Sequence, residues 1–342
     1  MNATSTTHTR RGPNAREVVV TGIGLALPGV ATYGDLLGPL PGKGGFDPAT
    51  GLTGRELRHK DRASRLALRA AEFALHDAGL TDANATFTGA AETTAVVVSS
   101  NLGNADSVCE AAGTIARAGV MGLSPLGLPQ TSSNVIAGWV AIRYRLRGPN
   151  LTVCNGATSG LDALAWGRNL IVAGRADAAV VGGVEPAGDV VTKILGEQST
   201  DAAVAVVLEP ADSADSRGAR PRATITGYAR ARDLAAALAS TGVTEHEPVG
   251  LWLAGGEADP DGAGAGHLLA APRRIDLEAQ LGPLSGALGV LQCAAAAAHL
   301  DSGATGNVLA TAGGPRHDAT AALLLTPPPT TRPSTQERGQ RP

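Results

Sequence analysis

Aromatic side chains are scarce: three Phe, three Tyr and three Trp in 342 residues. That excludes a core filled mainly by rings, and with 45 Gly and abundant Ala the elements must pack tightly through small side chains. Cysteine is equally rare. Cys109, Cys154 and Cys293 stand far apart, form no Cys-x-x-Cys pair and have no His at ligand spacing. Neither a disulfide framework nor a zinc site is indicated, and a reducing, cytoplasmic setting is expected. Charge of one sign is also missing, since 28 basic and 31 acidic residues leave a net charge of -3. Such a balance offers no footprint to nucleic acid or to an anionic membrane. No apolar stretch is long and unbroken enough to span a bilayer, and the first 16 residues lack the apolar run of a signal peptide.

What the chain does contain is alternation. "EVVVTGIGLAL" (17–27) and "TTAVVVSS" (93–100) read as buried strands. "DRASRLALRAAEFALHDAG" (61–79) reads as an amphipathic helix closed by Gly79. A helix is expected from about Ala105 to Ala118, a loop at "SPLGLPQ", and another helix over 132–146. Strands alternating with helices favour an α/β protein with a largely parallel, buried sheet. The polar residues 1–16 and the Pro/Thr-rich tail 328–342 are expected to be disordered.

The chain also repeats itself. Residues 159–186 and then "DAAVAVVLEP" (201–210) run parallel to residues 285–314 and then "DATAALLLTP" (318–327). Each copy has a Ser-Gly helix start, a small-residue helix, a strand ending in Gly-Gly and a closing strand that runs from Asp to Pro. The expected halves are 17–215 and a shorter 216–327. If Ser159 and Ser285 mark related helix starts, their unpaired N–H groups face a common cleft suited to a thiolate or an oxyanion.

The strand, turn and helix "GPNLTVCNGATSGLDALAWGRNL" (148–170) has the shape that carries a nucleophile, yet its tightest part holds Gly156, Ala157 and Thr158. Cys154 comes three residues too early and reads as a small hydrophobe on a buried strand; Cys109 and Cys293 read alike, on helices. "GATSG" has its serine in the fourth place, which suits Ser159 to starting a helix better than to attacking an ester. His317 beside Asp318 reads as solvated loop polarity. "GIGLALPG" (22–29) lacks the spacing of a dinucleotide site. No cofactor is expected.

In "VVVTGIGLALP", "DRASRLALRAAEFALHDAGL", "RYRLRGPNLTV", "SGLDALAWGRNLIVAGRADAAVVGG" and "DAAVAVVLEP" the sequence resembles the β-ketoacyl synthase family, closely over 17–210 and loosely over 223–327. The resemblance implies a thiolase-like α/β/α/β/α fold of two duplicated halves. It also exposes losses. The family's elbow cysteine falls on Ala157, and the first histidine, in His-Gly-Thr-Gly-Thr, falls on Gly255 of "LWLAGGEADPDG". The Lys-x-x-x-Gly-His word becomes "EAQLGP", with Glu278 for lysine and Pro283 for histidine, and the closing Gly-Phe-Gly-Gly word becomes "GGPRHD" (313–318). A cooperative site stripped of all these groups should be inert, so no catalytic residue is assigned.

Inactive relatives of this kind are the chain length factors, or KSβ subunits, of type II polyketide synthases, and "NGATSGLDALAWGR" resembles their elbow. The common members carry glutamine where Ala157 stands, so the chain departs from them there. The resemblance implies a heterodimer with an active ketosynthase, which would meet an acyl carrier protein bearing the growing chain. The dimer face would involve 132–146 and 149–155. It further implies that Ala105, Val108 and Ala112 are the tunnel-gating positions; all three are small, which predicts a deep slot and a long, slender product. "RYRLRG" (143–148) is a solvent-facing stretch or a carrier contact. Two other readings stay open: a divergent acyltransferase using Cys154, and a homodimeric scaffold.

Overall fold

The computed structural model describes residues 16–40, 47, 57, 60–244, 248–256 and 273–329. The ends expected to be disordered therefore lie almost wholly outside the described residues. Ten strands form one mixed sheet in the order β3-β2-β4-β5-β1-β6-β10-β9-β7-β8. The first five are β1 (Val18–Ala26), β2 (Thr94–Ser99), β3 (Asn150–Val153), β4 (Ala178–Glu185) and β5 (Ala202–Pro210). The second five are β6 (Ala223–Ala231), β7 (Val249–Ala254), β8 (Arg273–Asp276), β9 (Asn307–Gly313) and β10 (Thr320–Thr326).

Numbered within each half and read from the outer edge, both sets run third, second, fourth, fifth, first, with the outer three parallel and the last two antiparallel. The duplication is thus carried in the topology. The expectation of a largely parallel sheet is corrected: the antiparallel strands β1 and β5, and β6 and β10, sit where the halves adjoin. Only two residue pairs, Val19 with Thr224 and Val20 with Ala223, join them.

Strand alternation sorts the layers. In β5, Ala202, Val204, Val206 and Leu208 face a central core, whereas Ala203, Ala205 and Val207 face α1 (Arg62–Asp77) and α3 (Val135–Tyr144). Burial on both faces explains why these strands read as unbroken apolar runs. The central core holds α4 (Ser159–Val172) and α9 (Leu288–Asp301). On the far side of the second half, α7 (Leu234–Thr241) packs on Trp252, Leu309 and Ala322. This layering is the α/β/α/β/α order expected. From Leu288 to Leu300, α9 is buried on every side, as a helix packed between the two halves of the sheet must be.

Small residues are decisive at the centre. At Gly160 an added Cβ would lie 2.6 Å from the Gly289 nitrogen, and at Gly289 2.2 Å from the Leu161 nitrogen. The helices α4 and α9 therefore cross backbone on backbone. Peripheral elements are α2 (Ala105–Ala118), α5 (Asp189–Leu195), α6 (Ala211–Ser216) and α8 (Leu277–Leu281). Among the described residues no helix is long and apolar enough to cross a membrane.

Candidate functional site

The two halves meet where α4 and α9 begin. Each helix is preceded by a single 3₁₀ turn, Gly156–Thr158 and Ser285–Ala287. This fixes the pairing of the repeats. Ser285 corresponds to Gly156, and Ser159 to Leu288, so matching Ser159 with Ser285 is three residues out. The crossing glycines, Gly160 and Gly289, decide the register, because only they allow the approach. Gly156 takes φ 72°, whereas Ser285 holds φ 45° without being glycine, a left-handed conformation that costs about 1 kcal/mol or more.

Hydrogen bonds hold both turns. The Asn101 amide, just beyond β2, donates from Nδ2 to the Gly156 carbonyl at 2.9 Å and to Ser285 Oγ at 2.9 Å. Its Oδ1 accepts from the Gly156 N–H at 3.2 Å and from Ser159 Oγ at 2.9 Å. One side chain thus reads both faces of the Gly156 peptide and reaches the other half. Glu185, at the end of β4, accepts the backbone N–H groups of Asn101 at 2.6 Å, Leu102 at 3.0 Å and Gly286 at 3.0 Å. Glu278 on α8 accepts the Leu284 N–H at 2.9 Å, and the N–H groups of Gly256 and Ser285 also point to it. The donors around the second helix start are therefore engaged by the protein's own carboxylates.

Burial governs the charge of these groups. Glu185 is 3% exposed, and burial, opposed by its N–H donors, pushes it up to about 7. Burial also raises Glu278. A carboxyl raised in the fold binds its proton more tightly than in the unfolded chain. Its stabilisation is present in full below the unfolded value of 4.5 and is lost as pH rises through about 7. Urea unfolding compared at about pH 6 and about pH 8.5 is expected to show a loss on the order of 1 kcal/mol from this group. Glu185→Gln should flatten that part of the profile; a profile parallel to the wild type would remove Glu185 as its source.

The four positions expected to match the family's catalytic words lie around this junction. Ala157 lies half-buried in the first turn. Gly255 follows β7 with no space for a side chain: an added Cβ would meet Leu288 Cδ2 at 2.6 Å, the Thr311 carbonyl at 2.7 Å and Gln292 Nε2 at 2.9 Å. The buried Gln292 amide itself donates to the Leu253 and Thr311 carbonyls at 3.0 and 2.9 Å. Glu278 and Pro283 flank the turn at Ser285. On the opposite side, Arg230 pairs with Asp318 at 3.1 Å and approaches Thr158 Oγ1 at 3.3 Å. Asp318 thus engages an arginine across the strand pair. Part of "LWLAGGEADPDG", residues 257–262, lies outside the described residues.

Two cysteine expectations are overturned. Cys154 is exposed because β3 ends at Val153; its thiol donates to the Ser100 carbonyl at 3.0 Å. Partial desolvation first, and Glu185 second, push that thiol up, away from the thiolate a nucleophile needs. Cys109 is also exposed, since α2 has no buried residue at all. Only Cys293 is buried. Asn101 and Glu185 are the residues that sequence reasoning misses; neither carries a local signal, Glu185 being one residue beyond Gly182-Gly183-Val184 at the end of β4. Among the described residues no three His, Cys, Asp or Glu side chains are grouped to hold a metal.

The model of the β-ketoacyl synthase N-terminal domain matches residues 30–204, just over half of the chain. The chain belongs to the β-ketoacyl synthase family. It is 30% identical over 220 residues to 3-oxoacyl-[acyl-carrier-protein] synthase 2 of Rhizobium meliloti (strain 1021), covering 56% of this chain and 51% of that protein. It is 32% identical over 202 residues to the tetracenomycin polyketide synthase ketoacyl synthase alpha subunit of Streptomyces glaucescens, covering 50% and 46%. The chain thus spans about half the length of such curated relatives. Among solved structures, the ishigamide ketosynthase/chain length factor superposes with a TM-score of 0.74 at 20% identity, over 91% of this chain and 99% of that one. A ketosynthase complex with a type II polyketide acyl-carrier protein, AntDE:AntF, gives 0.76 at 18% identity over the same shares. The fold is therefore that of the thiolase-like ketosynthases.

Proposed function

We propose that this β-ketoacyl synthase homologue is a non-catalytic chain length factor. It would pair with an active ketosynthase and form part of the wall of the tunnel that receives a polyketide or polyene chain. The observation that carries the reading is Gly255: the place of the family's first histidine is occupied by packed backbone and the Gln292 amide. With Ala157, Glu278 and Pro283 at the other positions, the junction offers no thiolate, no imidazole and no ammonium among the described residues. Its backbone N–H donors around Ser285 are already taken up by Glu185 and Glu278, which leaves them unavailable to an enolate or oxyanion.

The surface supports a partner. Apart from Phe73, every large hydrophobic side chain exposed among the described residues lies between Val108 and Ile194. Met121 is 96% exposed, Val120 69%, Ile142 66% and Trp166 51%. These side chains sit on or beside α2, α3, α4 and α5, and β3 is an edge strand paired with β2 alone. An uncapped edge beside apolar side chains is a surface that another chain covers. The segments 132–146 and 149–155 belong to this face, and the tunnel-gating role of Ala105, Val108 and Ala112 is part of the proposal. The acyl carrier protein would serve the assembled pair. Of the arginines in 143–148, Arg147 is less available to it, because it pairs with Glu92 at 2.7 Å.

Co-expression with a ketosynthase that keeps its cysteine and both histidines is expected to give a one-to-one complex, read by size exclusion with multi-angle scattering. A stable homodimer that ignores the ketosynthase would favour a scaffold instead. Acyl-carrier thioesters should leave the isolated chain unlabelled; lasting labelling that disappears in Cys154→Ala would favour an acyltransferase.

A further inference from the structure

Among the described residues, the helix that carries Ala105, Val108 and Ala112 borders a cleft. At about 100° per residue these three positions share one arc of α2, whereas Ser107, Glu110, Ala111 and Thr114 are centred roughly 140° round the helix from them. The first arc is the outward one: Val108 and Ile115 are each 43% exposed. The second lines a cleft of about 450 Å³, partly open to solvent and bordered by Lys60 and Asp61 at the start of α1 and by the 122–131 segment. The Lys60 ammonium lies 3.6 Å from the centroid of the Trp139 ring. Asp61 caps α1 through one oxygen, which accepts the Ser64 N–H at 2.6 Å, and its other oxygen is buried without a hydrogen-bond partner.

A wall helix with no buried residue and a cleft behind it is held by little apolar contact. Elements of that kind lie at the low-stability end of a fold, and pressure on one face moves such a helix towards the side where no atoms oppose it. We propose that the cleft behind α2 adds to the space the growing chain can use, so that Ser107, Ala111 and Thr114 form a second set of length-determining positions. A chain that fills the slot along Ala105, Val108 and Ala112 pushes α2 into the cleft, and elongation stops when the cleft is used up. This inference rests on the chain length factor reading.

The test uses the reconstituted ketosynthase pair and compares product lengths by mass spectrometry for wild type, Ala112→Phe, Ala111→Phe and Thr114→Leu. Ala112→Phe probes the slot itself, and the other two fill the cleft without touching the outward arc. Loss of the longest products in Ala111→Phe or Thr114→Leu, with pairing intact, is the expected result. Shortening in Ala112→Phe alone overturns the cleft while leaving the slot. Unchanged products in all three overturn the gating reading and the cleft with it. Hydrogen exchange in the wild-type pair covers the case in which the filled variants fail to fold. The amides of 105–118 should change protection when the ketosynthase is loaded with a long acyl chain, and unchanged protection there overturns the inference.

Discussion

Gly289→Ala is expected to destabilise the protein by more than about 3 kcal/mol, with a melting midpoint lower by about 4 °C or more. One methyl group is enough because there is nowhere for it to go. The new Cβ would sit 2.2 Å from the Leu161 nitrogen and 2.5 Å from the Gly160 carbonyl carbon. Both are backbone atoms of α4, so no side-chain rotation relieves the contact. The helices must separate instead, and α9 is locked on its other faces by a close-packed core. Gly138→Ala in α3 is the internal control, since a Cβ there meets nothing within 4 Å. That change is expected to stabilise by about 0.5–1 kcal/mol through helix propensity alone. Thermal and urea unfolding of the two variants should therefore move in opposite directions. Equal, small effects would mean that α4 and α9 do not cross at these glycines.

The second large effect concerns placing a cysteine and a histidine at the two positions proposed to match the family's own. Ala157→Cys is expected to fold with a stability within about 0.5 kcal/mol of wild type, because the position is half-buried at a turn. It should still transfer no acyl group, since neither histidine position can assist it. Gly255→His is expected to fail more severely, costing at least about 3 kcal/mol or giving insoluble protein. Its Cβ would meet the Thr311 carbonyl at 2.7 Å and the Gln292 amide at 2.9 Å, and Gln292 already joins the ends of β7 and β9. The two variants separate two histories of an inactive site. A site that merely lost side chains would accept them back, whereas a site repacked around the vacancy would not. Condensation by the chain carrying Ala157→Cys and Gly255→His together would overturn the repacked-site account, and condensation by the unsubstituted isolated chain would defeat the non-catalytic reading.

The same contrast shows what was legible in the residues. Ala157 and Gly255 could be proposed from short words that follow strands, because a strand end, a glycine turn and a small-residue helix leave a strong local pattern. Glu185 and Asn101 could not, since a glutamate after Gly-Gly-Val and an asparagine after Ser100 acquire meaning only when Gly286 and Ser285 arrive from distant positions in the chain. Cys154 is misjudged for a similar reason. A β-branched run predicts burial, but β3 is the edge of the sheet and its last residue is Val153, so exposure depended on which strand had a neighbour.

Local pattern was enough for the α/β layering and the duplication, since hydrophobic period and turn residues are properties of short segments. The register of the two repeats, the sealing of the Gly255 position and the cleft behind α2 emerged only in the assembled fold. Those depend on how closely backbones from distant segments approach, a distance that glycine permits but does not impose.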